Sequence, residues 1–109
     1  MPRDRLGPFE AEILRCLMSR PRDAYGVSIL DRLKEDTGRS YTIGALYTTL
    51  ERLETKGLIR SRWGEPTAER GGRRKRYYEV SASGSSALHA FSAATVYIFG
   101  VGSSAAQGA

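Results

Sequence analysis

The chain has 109 residues, 40% of them hydrophobic, and a formal net charge of +5. That length holds one small domain with little room for a second core, and the positive balance favours a polyanionic partner. A single cysteine, Cys16, excludes an internal disulfide and fits a cytoplasmic protein, and the lone His89 has no neighbouring ligands at metal spacing, so neither a metal nor another cofactor is expected.

The opening residues, Met1-Pro2-Arg3-Asp4, lack the apolar core of a signal peptide. The longest apolar run, residues 93–101, is about half the span of a membrane helix, so no membrane association is expected. Pro8 suits the first turn of a helix, where its missing N–H would have no partner anyway. Phe9, Ile13, Leu14, Leu17 and Met18 then recur near helical period and predict one buried stripe up to about Arg20, with Cys16 as a buried structural thiol. Pro21, Arg22 and Asp23 break the pattern. A second helix starts near Tyr25-Gly26, turns Ile29, Leu30 and Leu33 inward, and ends by Gly38.

The third helix has the clearest signature. Thr42 is a good N-cap, Leu46, Leu50 and Leu53 fall at i, i+4 and i+7, and Gly57 closes the helix. Those leucines face the core, while Gly44, Thr48, Glu51 and Thr55 point away, flanked by Tyr47 and Arg52. Small and hydroxylic residues near its N-terminal end let such a helix sink into a groove and contact bases or phosphates.

Residues 58–63 and 74–80 read as two short strands joined by a loop rich in Gly, Pro, Thr and Glu. Arg60, Arg62, Arg70, Arg73, Arg74, Lys75 and Arg76 oppose only Glu65, Glu69 and Glu79, so this hairpin carries +4 of the net +5. Strand alternation turns Tyr78 and Val80 inward and Tyr77 outward, and Trp63 at the strand end either packs at the edge of the core, the preferred reading, or sits on a sugar-phosphate backbone. Ser81 reads as the next N-cap. Beyond it Leu88, Phe91, Thr95 and Ile98 form an apolar stripe, and no Asp, Glu, Lys or Arg follows Glu79. A helix so poor in charge is expected to be covered twice, by its own domain and by a second protomer. From Gly100 the Gly, Ser and Ala residues read as a disordered tail.

A capped helix followed by a basic hairpin is the pattern of a winged helix-turn-helix, with one element in the major groove and the other along the phosphates. The fold class expected is therefore mainly α with a small β-hairpin. Residues 1–80 form the winged helix-turn-helix domain, 81–100 a C-terminal dimerisation helix and 101–109 a tail. Thr42, Gly44, Tyr47, Thr48 and Arg52 would meet bases or nearby phosphates, and Arg73, Arg74, Lys75 and Arg76 the phosphates or the minor groove. A winged-helix protein-interaction module without DNA binding is the alternative. It would carry a neutral wing and an acidic third helix, and neither is present. The aromatic platform and Gly-rich motifs of common RNA-binding modules are missing, and no nucleophile–base pairing or phosphate loop recommends an enzyme.

Several motifs together resemble the PadR family of bacterial transcriptional regulators. Ala24-Tyr25-Gly26 resembles the Tyr-Gly turn that opens its second helix. Gly44-Ala45-Leu46-Tyr47, Leu50, Leu53-Glu54 and Gly57-Leu58-Ile59 resemble its recognition-helix signature. Gly71-Gly72-Arg73-Arg74-Lys75-Arg76-Tyr77-Tyr78 resembles its wing, and Ser81 with Gly84 the motif opening its last helix. The resemblance implies a homodimeric repressor that binds a palindromic operator in double-stranded DNA at its own or an adjacent operon. The chain's shortness resembles the form with a single C-terminal helix for the dimer contact. A small hydrophobic or aromatic effector is also implied. The last helix departs from the family pattern in having no tryptophan, so a flat aromatic sandwich does not carry over, and Phe91, Tyr97 and Phe99 are what would line a smaller pocket.

Overall fold

A computed structural model describes residues 6–20, 22–65 and 74–93. In chain order these form α1 (Pro8–Ser19), α2 (Gly26–Thr37), α3 (Ile43–Thr55), β1 (Ile59–Trp63), β2 (Arg76–Val80) and a fourth helix, α4, over residues 82–93. Thr95, Ile98 and Arg73 lie outside the described residues, as do the hairpin tip and the tail.

α1 starts with Pro8 at its first position, as its ring favours, and Glu10 caps it by accepting the Gly7 N–H at 2.9 Å. Glu10 is nonetheless buried, because the same carboxylate pairs with Lys56 Nζ at 3.1 Å at the far end of α3. A buried carboxylate needs such a partner, and the pair ties α1 to α3. Ala11, Ile13, Leu14, Cys16 and Leu17 are buried with it. Met18, expected on that stripe, is exposed one residue before the end of α1.

α2 buries Gly26, Ile29 and Leu33 and ends at Gly38, whose φ of 73° is the left-handed cap that favours glycine. α3 opens as expected, with Thr42 Oγ1 accepting from the Ala45 N–H at 3.0 Å. Leu46, Leu50 and Leu53 are fully buried, and truncating one to alanine would cost roughly 2–5 kcal/mol. Thr49 is buried too, its hydroxyl donating to the Ala45 carbonyl at 3.0 Å.

The strands pair antiparallel, Ile59 with Val80 through Trp63 with Arg76. Both are shorter than the sequence predicts. At the start of β1 the Leu58 N–H turns back to the Leu53 carbonyl at 3.0 Å, and regular pairing of β2 begins only at Arg76. A piece the sequence does not announce joins the free edge of β2: Tyr25 bridges Tyr77, and the Tyr78 N–H donates to the Ala24 carbonyl at 2.8 Å. Tyr78 is buried, Val80 partly so, and Tyr77 lies on the opposite face.

Ser81 caps α4, accepting the Gly84 N–H at 3.0 Å and donating to the Gly57 carbonyl at 2.7 Å. Gly84 is needed there, since a Cβ would overlap the Leu58 carbonyl. Leu88 is buried in the same core as α1, α2 and α3, with Phe91 packed partly against it. Leu88 therefore fastens α4 to its own domain and is not a surface left for a second copy, as the sequence stripe suggested. The core it joins holds α3 and the hairpin in fixed relation.

Candidate nucleic-acid interface

With Leu46, Leu50 and Leu53 turned inward, α3 presents Thr42, Gly44, Tyr47, Thr48 and Arg52 to solvent. Gly44 is the barest of these positions, because a Cβ there would meet nothing within 4 Å. Tyr47 is held in place by α2: its phenol lies directly over Gly26, where any side chain would overlap it. Only glycine lets the first turn of α2 approach the tyrosine so closely. The Tyr25-Gly26 motif thus has a structural cause, which is to seat Tyr47 on the exposed side of α3.

Between Tyr47 and the hairpin lies a cleft of about 530 Å³. Its walls include Val27 and Tyr47 from the helices and Trp63, Arg74, Lys75 and Arg76 from the hairpin. The structure thereby brings Tyr47 together with three of the four expected wing cations. Thr42, Gly44, Thr48 and Arg52 do not line the cleft.

Each of these cations is oriented by a neighbour. Arg74 Nε donates to the Gly64 carbonyl at 3.0 Å, and Lys75 Nζ stands 4.3 Å from the centre of the Tyr25 ring. Arg76 is the most constrained. Its Nε donates to Ser61 Oγ at 3.0 Å, its Nη2 lies 3.8 Å from Glu54, and its guanidinium covers the Trp63 ring at 5.1 Å. Ser61 in turn donates to Glu54 at 2.7 Å, so α3, β1 and β2 are joined through polar groups. Trp63 is exposed under Arg76, where the sequence reading has it packed at the core edge. The exposed pair of Arg60 with Glu79 at 3.4 Å is worth little by itself.

Sequence reasoning passed over Val27 and Arg62. Val27 sits off the Ile29–Leu33 stripe at the exposed start of α2, and an apolar residue off the buried face is the signal that marks it. Arg62, which shows in the sequence only as charge, lies 4.9 Å over the Tyr77 ring. Away from this face, burial pushes the Cys16 thiol up to about 11, so at neutral pH it is protonated and a poor nucleophile, as a structural thiol should be. Burial also raises the Tyr78 hydroxyl. No helix among the described residues is long and apolar enough to cross a membrane.

Three helices, a hairpin against the third of them and an exposed, cation-flanked α3 define a winged helix-turn-helix protein. The family model for the Transcriptional regulator PadR-like family matches residues 13–90. A curated protein of Lysinibacillus sphaericus, itself uncharacterized, is 32% identical over 84 residues, covering 75% of this chain and 72% of its own length. A PadR-like transcription factor from Bacteroides fragilis superposes with a TM-score of 0.64 at 26% identity, over 80% of this chain and 81% of that one. Bacillus subtilis PadR, solved in complex with operator DNA, gives 0.65 at 26% identity over 77% of this chain and 46% of that one. The chain belongs to the PadR-like family, whose members are transcriptional regulators and not enzymes.

Proposed function

We propose that the protein is a homodimeric, sequence-specific binder of double-stranded DNA that represses its own or an adjacent operon. α3 enters the major groove with Thr42, Gly44, Tyr47 and Thr48 toward the base edges, Arg52 meets a flanking phosphate, and Arg73, Arg74 and Lys75 follow the backbone. The observation that carries this reading is the pairing of an open, side-chain-free position at Gly44 with a cation-lined cleft one helical turn away. An acidic or neutral face would have favoured a protein partner. Here cations and hydroxyls surround small residues, as close approach to a polyanion requires.

Dimerisation through α4 rests on the absence of Asp, Glu, Lys and Arg after Glu79 and on the apolar sequence that follows Leu88, while Leu88 itself is taken up by its own core. A two-fold pair of recognition helices would require a palindromic operator with half-sites about one DNA turn apart. Release by a small hydrophobic or aromatic effector completes the proposal and rests on the family resemblance.

Titrating salt against operator binding tests the core of it. With roughly four phosphates neutralised per protomer, log K should fall against log salt with a slope of roughly −7. A slope near zero would refute phosphate-driven binding.

A further inference from the structure

Five large apolar side chains are exposed among the described residues: Met18, Val27, Ile43, Tyr47 and Trp63. Single exposed apolar groups are ordinary, but these are not scattered. Val27, Tyr47 and Trp63 line one cleft with Arg74, Lys75 and Arg76, and Ile43 precedes Tyr47 by one turn on the same side of α3. Only Met18, at the end of α1, lies elsewhere.

Phosphate does not account for this grouping. An anion is held by donors and positive charge, and gains nothing from an isoleucine or a valine. These side chains are nonetheless well displayed: Val27 is 57% exposed, Ile43 44% and Tyr47 45%. The phenol end of Tyr47 rests against Gly26, which gives its exposed ring a backstop. The cations around it favour DNA over an apolar protein partner. In a major groove the apolar feature that distinguishes one base from another is the 5-methyl group of thymine.

We propose that Ile43 and Tyr47, backed by Val27, form an apolar reader of thymine methyl groups, so that the operator carries thymines where the first two turns of α3 enter the groove. The proposal rests on the DNA-binding reading above and adds the base it selects. Gly44 and Thr48 lie beside Ile43 and Tyr47 on the helix and leave room for a base pair to reach them.

The test lets the protein choose its own duplex from a random-sequence pool. The best duplex is then made with dU replacing dT, one position at a time, which removes the methyl and keeps every hydrogen-bonding group. Enriched sequences should contain thymine in each half-site. At the positions read, each replacement should weaken binding about fourfold, as expected for roughly one buried methyl. Ile43→Ala removes the contact from both half-sites of the dimer, so that protein should bind the dT duplex about sixteenfold less well and lose nothing further when the thymine it reads becomes dU. Ile43 is exposed, so its melting temperature should stay unchanged. A selected motif without thymine, a flat dU scan, or dU losses that persist undiminished in the Ile43→Ala, Val27→Ala and Tyr47→Ala proteins would overturn the proposal. A flat scan with tight, salt-dependent binding would leave DNA binding intact and put these side chains against deoxyribose instead. If no duplex is enriched at all, the DNA-binding reading itself fails.

Discussion

Gly44→Ala separates folding from binding more cleanly than any other single change in this chain. Gly44 is the second residue of α3, and nothing lies within 4 Å of where a Cβ would stand. Its backbone is already helical, so alanine removes conformational freedom from the unfolded chain and introduces no strain. Alanine exceeds glycine by up to about 1 kcal/mol inside a helix; in the first turn about half of that is reasonable. For a domain of this size the melting temperature should therefore rise by about 2–4 °C. On DNA the sign reverses. If the α3 backbone approaches base edges at Gly44, the added methyl pushes the helix outward and loses at least one base contact per half-site, worth roughly 1–3 kcal/mol. Thermal melts and fluorescence anisotropy on the selected duplex and on random DNA measure both effects. A gain in stability with operator affinity unchanged would refute close approach of the α3 N-terminus. A loss of stability would refute the claim that the position is open.

Gly84→Ala should behave in the opposite way, because its Cβ meets the Leu58 carbonyl, which is backbone and cannot swing aside; a cost of about 1–3 kcal/mol should appear as a lower urea midpoint. Arg74→Ala and Lys75→Ala should weaken binding to all duplexes alike, each making the salt slope of a dimer shallower by about 2. Burial holds the Cys16 thiol protonated to about 11, above its ordinary 9.0, so the unfolded chain releases that proton first and stability should fall as pH rises from about 9 to about 11. Urea melts should show a shallower decline over that window in Cys16→Ala, and an unchanged slope would remove Cys16 from the account. Light scattering should find a dimer, and Phe91→Asp should give folded monomers with little operator affinity; a wild-type monomer that still binds a palindrome tightly would overturn the dimer proposal.

The recognition helix was legible because its signals are local. Thr42 caps, three leucines repeat at helical spacing, and Gly57 takes the positive φ that ends the element. The hairpin was legible for the same reason, from its alternation and its cations. What the sequence concealed is tertiary. Glu10 reads as an ordinary first-turn acid, and its burial depends on Lys56, 46 residues away. The Tyr25 bridge is one residue long and has no period to detect. Leu88 and Phe91 fall on one stripe, yet Leu88 is buried in the domain core while Phe91 is only partly covered. Spacing says which residues share a face. It does not say what covers the face, and Val27 and Ile43 likewise stand out as exposed apolar groups only in the folded structure.

Counting cations along the chain also overstates how many are free to meet DNA. Arg76 is shared among Glu54, Ser61 and Trp63, so part of its charge is already answered within the protein. Its value is better understood as geometric. Glu54 belongs to α3, Ser61 to β1 and Arg76 to β2, and their contacts set the hairpin at a fixed pitch to the helix. Gly26 and Tyr47 do the same between α2 and α3. A surface whose helix and wing are already aligned loses less freedom on binding than one that must assemble them, so more of the phosphate attraction appears as affinity. The same rigidity makes base contacts discriminating, since a helix that cannot tilt away must accept or reject the groups it meets.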